Sequence, residues 1–102
     1  DELIHYMHEN IEQQLTLDQL AKLSGLSASH LSLLFQRKTS CSPLQYLKHL
    51  RIQKACQLLD YTDMKIIQIS PKVGFGDALY FTRIFKKETG LSPKEYRSLK
   101  KG

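Results

Sequence analysis

The side chains that most often carry catalysis or bind metals are scattered along this chain and form no recognisable site. No two histidines have the His-Glu-x-x-His spacing of a zinc protease, and the separation of the two cysteines matches no common zinc motif. A methyl-accepting DNA-repair enzyme could use either cysteine, but no general base, metal-ligand set or phosphate-binding loop accompanies the thiols. We therefore expect no enzyme activity, no metal and no cofactor, and thiols that stay reduced in the cytoplasm. The residues concerned are His5, His8, His30, His49, Cys41 and Cys56.

Basic side chains are the second group that could take part in binding, and they are unevenly distributed along the chain. Residues 1–21 contain five Asp or Glu and no Lys or Arg, whereas residues 22–102 contain all fifteen Lys or Arg and five Asp or Glu. The net charges of the two parts, −5 and +10, sum to the +5 of the whole chain. A polyanion would attract the second part and repel the first. An ordinary solvated basic surface has a similar composition, so charge alone favours nucleic acid only slightly.

The elements that must position these side chains are helices, because apolar residues recur at helical spacing and no segment alternates as a strand does. Thr16, with Gln19 three residues later, matches a capping box, and each of the two Ser-Pro pairs is typical of a helix start. Pro71 removes a backbone hydrogen bond inside the fifth predicted helix and could kink it. The predicted helices cover residues 1–14, 17–24, 28–38, 43–60, 64–73, 78–87 and 93–100, with predicted caps at Thr16, Ser27, Ser42, Asp63, Asp77 and Ser92.

The second half of the chain repeats the first. Each copy has a short helix, a glycine turn, a longer helix with basic residues near its end, and a Ser-Pro start, which is the plan of a helix-turn-helix. A duplicated helical hairpin without a role in DNA binding is the alternative. The pattern predicts an all-α domain in which units 1–41 and 62–102 flank a linker helix, 42–61, that could hold two recognition helices roughly 34 Å apart, one turn of duplex. Leu17, Leu20, Ala21 and Gly25 recur as Ile66, Ile69, Ser70 and Gly74 at an offset of 49, and Leu31, Leu34, Phe35, Ser42, Pro43 and Tyr46 recur as Phe81, Ile84, Phe85, Ser92, Pro93 and Tyr96 at an offset of 50.

The run ISPKVGFGDALYFTRIFKKETGLSPKEYR, residues 69–97, resembles the signature of the AraC/XylS family, and residues 25–59 are similar to the first half of that family's domain. The resemblance covers essentially the whole chain. It implies seven helices in two helix-turn-helix units joined by a central helix, which bind promoters and activate or repress transcription, often by touching RNA polymerase. Three residues depart from the family pattern: Ser40 replaces a frequent glycine, Ser70 a frequent alanine, and Pro71 lies inside a helix.

The outward faces of the third and sixth helices offer the side chains that could contact DNA. Arg83 could form a bidentate contact with guanine, although a phosphate contact is the alternative. Leu33 and Leu79 could contact thymine methyl groups or belong to the core. The helix starts at Ser42 and Ser92 could bind phosphate through backbone N–H groups or be purely structural. The resemblance implies base contacts from the positions of Ser29, Ser32, Leu33, Ala78, Leu79, Thr82 and Arg83, and we expect phosphate contacts from Gln36, Arg37, Lys38, Lys86 and Lys87.

Sequence-specific binding to double-stranded promoter DNA is therefore the expected function. The alternative is a helical protein-interaction domain whose basic face meets an acidic partner, but such a surface does not need two equivalent recognition helices. No apolar run reaches the roughly 18 residues of a membrane span, and no secretion signal opens the chain, so we expect a cytoplasmic protein. A start at Asp1 rather than Met suggests a fragment of a longer regulator. The fragment should be a monomer, whereas a further domain could make the full-length protein a dimer.

Overall fold

The computed structural model describes the backbone of residues 2–101 and the side chains of residues 2–99. The described residues form seven α-helices and no strand, which confirms the predicted all-α fold. None of these helices combines the length and the apolar content that crossing a membrane requires. The helices are α1 Glu2–Glu9, α2 Leu17–Ser24, α3 Ala28–Thr39, α4 Pro43–Tyr61, α5 Ile66–Lys72, α6 Ala78–Thr89 and α7 Pro93–Lys101.

The chain divides into two compact units, Asp1–Leu50 and Arg51–Gly102, each with its own core. In the first unit, α1, α2, α3 and the first half of α4 surround Met7, Leu20, Leu31 and other apolar side chains. Phe35 makes an edge-to-face contact with Tyr46, with ring centres 5.7 Å apart. Tyr46 is half-buried and packs against this core.

The core of the second unit is richer in aromatic side chains. Phe75 packs on Phe81 at 5.3 Å between ring centres, Phe81 on Phe85 at 5.8 Å, and Phe85 on Tyr96 at 5.6 Å. The second half of α4 adds apolar side chains to this core. The two halves of α4 thus belong to different cores. The division into two helix-turn-helix units, 1–41 and 62–102, and a linker helix, 42–61, stays a prediction.

The predicted end of α1 and the predicted start of α5 are wrong, and α6 ends two residues later than predicted, at Thr89. α1 ends at Glu9 rather than at residue 14. The side-chain amide of Asn10 donates to the carbonyl of Tyr6 at 2.9 Å and competes with the backbone for it, and the next bond, from the Gln13 N–H to the Asn10 carbonyl at 3.0 Å, spans only three residues. Asp1, the predicted first residue of that helix, lies outside the described residues. α5 is capped by Lys65 rather than by Asp63, and Gln68 Oε1 accepts the Lys65 N–H at 3.0 Å.

Pro71 does not end α5, which continues to Lys72. The Val73 N–H still donates to the carbonyl of Ile69 at 3.1 Å, so the helical bonds resume beyond the proline. The turn that follows matches the one after α2. Each has a left-handed glycine and a bond that spans five residues, Leu26 N–H to Ala21 carbonyl at 3.1 Å and Phe75 N–H to Ser70 carbonyl at 2.9 Å.

Candidate nucleic-acid interface

The first helix-turn-helix is set by local capping, as the sequence predicts. Thr16 Oγ1 accepts the Gln19 N–H at 3.1 Å, and Gln19 Oε1 accepts the Thr16 N–H at 2.9 Å, so α2 begins with a complete capping box. Gly25 follows α2 with φ 73°, a left-handed conformation that costs glycine least. Ser27 Oγ then accepts the His30 N–H at 3.1 Å and fixes the start of α3.

The outward face of α3 carries polar side chains and one exposed leucine. Leu31 and Phe35 point into the core, which leaves Ser29 exposed and Ser32 half-buried on the other side of the helix. Leu33 is 49% exposed, so it is not a core residue. This exposure leaves Leu33 available for an apolar contact with a partner.

The outward face of α6 matches that of α3 at an offset of 50, and it carries more charge. Asp77 Oδ1 accepts the Leu79 N–H at 2.9 Å and caps the helix, as the sequence predicts. Leu79 is 82% exposed and is therefore not a core residue either. Ala78 and Thr82 are half-buried, whereas Arg83 is exposed.

Arg83 is held by a contact that the sequence analysis misses. Its guanidinium carbon lies over the ring of Tyr80, 5.4 Å from the ring centre. Tyr80 in turn packs against Phe75, with 5.9 Å between ring centres. An aromatic residue three positions before an arginine on one helix is the signal that could have predicted the pair.

The predicted phosphate-contacting residues do not all lie on one face. Gln36 and Arg37 on α3, and their counterparts Lys86 and Lys87 on α6, are exposed beside the predicted base-contacting residues. Lys38, which the sequence groups with them, lies about two and a half turns after Ser29 and so points to the opposite side of α3. There Lys38 lines a groove between α1 and α2, together with Leu3 and Ser24.

The two Ser-Pro helix starts differ in charge. At α7, Ser92 Oγ accepts the Glu95 N–H at 3.1 Å, and Glu95 Oε1 accepts the Ser92 N–H at 2.9 Å. These bonds with Ser92 lower the pKa of Glu95, so a carboxylate stands at this helix start. At α4, Ser42 Oγ accepts the N–H of Gln45 at 3.1 Å, and no negative charge accompanies the cap. A phosphate would be repelled less at the start of α4 than at the start of α7.

Arg97 is the other polar residue whose role the sequence does not reveal. From α7 its guanidinium donates to the carbonyls of Met64, Thr62, Leu59 and Leu58, at 2.6, 3.1, 3.3 and 3.4 Å. Arg97 therefore stabilises the end of α4 and the loop before α5, and its hydrogen-bonding capacity is used inside the unit.

The cysteines and histidines do not form a site in the structure. Cys41 and Cys56 are not joined in a disulfide, and no cluster of three or more His, Cys, Asp or Glu that could hold a metal occurs among the described residues. His5 forms an exposed pair with Glu9 at 3.6 Å.

Comparisons with known proteins agree with this geometry. A family described as "Helix-turn-helix domain" matches residues 20–98. The chain is 40% identical over 97 residues to the MmsAB operon regulatory protein of Pseudomonas aeruginosa, and the match covers 95% of this chain and 32% of that protein. It is 36% identical over 94 residues to the lactose operon transcription activator of Staphylococcus xylosus, and this match covers 92% of this chain and 34% of that protein. The chain thus spans about a third of the length of these curated relatives.

Solved structures resemble the chain over nearly all of its length. The DNA-binding domain of the global transcriptional factor AdpA, solved in complex with a target DNA, has a TM-score of 0.92 at 26% identity, over 96% of this chain and 88% of that one. A transcriptional regulator of the AraC type from Chromobacterium violaceum has a TM-score of 0.91 at 31% identity, over 97% of this chain and 88% of that one.

Proposed function

The chain belongs to the AraC/XylS family of DNA-binding domains that regulate transcription, and we propose that it reads promoter DNA with the outward faces of α3 and α6. The observation that carries the proposal is the repeated geometry of these two helices. Each is capped at its first turn, buries two or three apolar side chains, and presents exposed side chains on the opposite face. A helix of this kind enters the major groove in other helix-turn-helix proteins.

The two faces suit different bases. Arg83 can donate two hydrogen bonds to one guanine, which discriminates by about 1–3 kcal/mol. Leu33 and Leu79 are exposed apolar side chains that can contact thymine methyl groups. We propose that α6 selects a guanine through Arg83 and a thymine through Leu79, and that α3 selects a thymine through Leu33. The hydroxyl groups of Ser29, Ser32 and Thr82 can contact either base, whereas Ala78 can make only an apolar contact with a thymine methyl group.

Phosphate contacts complete the proposed interface. Arg37, Lys86 and Lys87 supply the cations, and Gln36 supplies a neutral donor. Lys38 is left out of this set, because it lines the groove between α1 and α2 instead. Two recognition helices on one duplex would use successive major grooves, about 10 base pairs apart.

The wider role of the protein is also part of the proposal. The relatives named for operon regulation and lactose activation suggest that this domain belongs to a longer regulator that activates transcription of an operon. Contact with RNA polymerase is what the resemblance to the AraC/XylS family implies. Such a protein acts in the cytoplasm, bound to the nucleoid DNA, and has no enzyme activity. The isolated domain is proposed to be a monomer.

Selection from random-sequence duplexes tests the proposal directly. The chain is incubated with a pool of random duplexes, and the bound molecules are recovered and sequenced. The most enriched duplex is then compared with a scrambled duplex in a binding titration. We expect two short preferred base sequences about one helical turn apart. We also expect the most enriched duplex to bind more tightly than the scrambled duplex, by a factor of about 10³ or more. Equal affinity for all duplexes, together with equal affinity for an acidic polypeptide, would instead support the protein-interaction alternative.

A further inference from the structure

The guanidinium of Arg83 is restrained before any DNA is bound. Tyr80 and Arg83 are three residues apart on α6, so their side chains meet on one side of the helix. The cation lies over the ring, 5.4 Å from its centre. A contact of this type at an exposed site changes an equilibrium constant about two- to fivefold.

The ring of Tyr80 is itself held in place by a buried neighbour. Its centre is 5.9 Å from that of Phe75, which is 4% exposed and packs on Phe81. The half-buried Arg51 also lies close to Tyr80: burial lowers the pKa of Arg51, while the nearby phenol opposes that shift. Tyr80 therefore connects an exposed cation to the core of its unit.

No carboxylate among the described residues forms an ion pair with Arg83, and the next turn of α6 adds the cations Lys86 and Lys87. The ring is thus the contact that limits the conformations of this side chain. A long side chain that is already restrained loses less freedom when it binds, and preorganisation of this kind strengthens binding.

We infer that Tyr80 is a positioning residue that holds Arg83 in a base-contacting conformation and so sharpens the preference of α6 for its base. The inference rests on the proposed DNA-binding function. It adds a residue outside the predicted base-contacting set, one that acts through Arg83 rather than by touching DNA.

The internal repeat provides a matched control. At an offset of 50, His30 and Leu33 occupy the positions of Tyr80 and Arg83 on α3. Leu33 carries no charge, so a ring at position 30 has no cation to hold. A substitution at His30 thus changes the same helical position without removing the proposed contact.

The experiment compares Tyr80→Leu, Tyr80→Phe and His30→Leu on the duplex selected by the unaltered chain. The readout is the ratio of Kd values between a duplex changed at a single base pair and the selected duplex, taken at the base pair whose preference Arg83→Ala abolishes. We expect Tyr80→Leu to lower this ratio about two- to fivefold, Tyr80→Phe to retain most of it because the ring remains, and His30→Leu to leave it unchanged. In an Arg83→Ala background, Tyr80→Leu should have no further effect on the ratio.

A second measurement does not depend on DNA. In the free chain, the ring should shift the NMR signals of the Arg83 side-chain protons upfield, and Tyr80→Phe should preserve that shift. Random-coil shifts for Arg83 would overturn the inference, even if Tyr80→Leu failed to fold. An unaltered ratio in a folded Tyr80→Leu variant, or an equal loss at every base pair, would also overturn it. An unaltered chain that binds all duplexes alike would overturn the DNA-binding proposal as well.

Discussion

Arg83 and Lys87 both place a cation on the exposed side of α6, but their chemistry differs. The planar guanidinium of Arg83 matches two acceptors of guanine, whereas the ammonium group of Lys87 acts as a point charge. We expect Arg83→Ala to reduce the preference at one base pair by about 1–3 kcal/mol. Lys87→Ala should weaken binding to every sequence alike. Titration against the selected duplex and its single-base variants distinguishes the two, and an equal loss on all sequences for Arg83→Ala would make Arg83 a phosphate contact.

Ser40 is in a backbone conformation that is unfavourable for serine. Its φ is 64°, and its counterpart at an offset of 50 is Gly90, with φ 87°. The left-handed conformation costs an L-residue about 1–2 kcal/mol, part of which is offset because glycine gains freedom in the unfolded chain. We expect Ser40→Gly to raise the free energy of unfolding by about 0.5–1 kcal/mol and Gly90→Ser to lower it by a similar amount. Urea unfolding measures both, and no gain for Ser40→Gly would mean that the serine side chain contributes a compensating contact.

At the scale of elements, α7 is attached to its unit through Arg97. Hydrogen bonds that involve a charged group contribute about 1.5–3 kcal/mol, and all four carbonyls that Arg97 contacts would lose this charged donor together. We expect Arg97→Leu to lower the free energy of unfolding by about 2–4 kcal/mol. Arg97→Lys should recover only part of the loss, because an ammonium group cannot span the same set of carbonyls. Thermal unfolding checks this order, and an Arg97→Lys variant as stable as the original chain would contradict it.

The same contacts explain which elements the sequence could predict. At Thr16, Ser27 and Asp77 the side chain of the cap accepts a backbone N–H only two or three residues away, so the local pattern predicts these caps correctly. The loop before α5 depends on Arg97, which is 33 residues from Met64 and 35 from Thr62, and the sequence around Asp63 does not indicate that Lys65 takes the N-cap position. Local signals thus predicted the helices and most of their starts, while a long-range contact decided one of them.

The candidate interface could be predicted in part for the same reason. Helical periodicity predicts that Ser29 and Arg83 point away from the core. It could not decide whether Leu33 was a core residue, which depends on how α3 packs; its exposure resolves the question. Lys38 was grouped with Arg37 by charge alone, although one step along a helix turns a side chain by about 100°.

For the molecule as a whole, the distribution of charge matters more than its sum. Four of the five acidic residues in 1–21 lie on α1, the following turn and the start of α2, whereas α3 and α6 each carry two basic residues in the last turn. DNA should therefore be attracted to the recognition helices and repelled by the start of the chain. This asymmetry favours an orientation in which α3 and α6 approach the duplex first.

The salt dependence of binding tests this view through the number of phosphates that are neutralised. Each phosphate contact releases condensed counterions, so the slope of log K against log salt concentration is about −0.9 per contact. With Arg37, Lys86 and Lys87 as phosphate contacts, we expect a slope of about −2.7 or steeper. Lys86→Gln and Lys87→Gln should each make the slope shallower by about 0.9. Lys54→Gln, on the exposed side of α4 outside the proposed interface, serves as the matched control and should leave the slope unchanged. Equal changes for all three variants would show that binding responds to net charge rather than to contacts from α6.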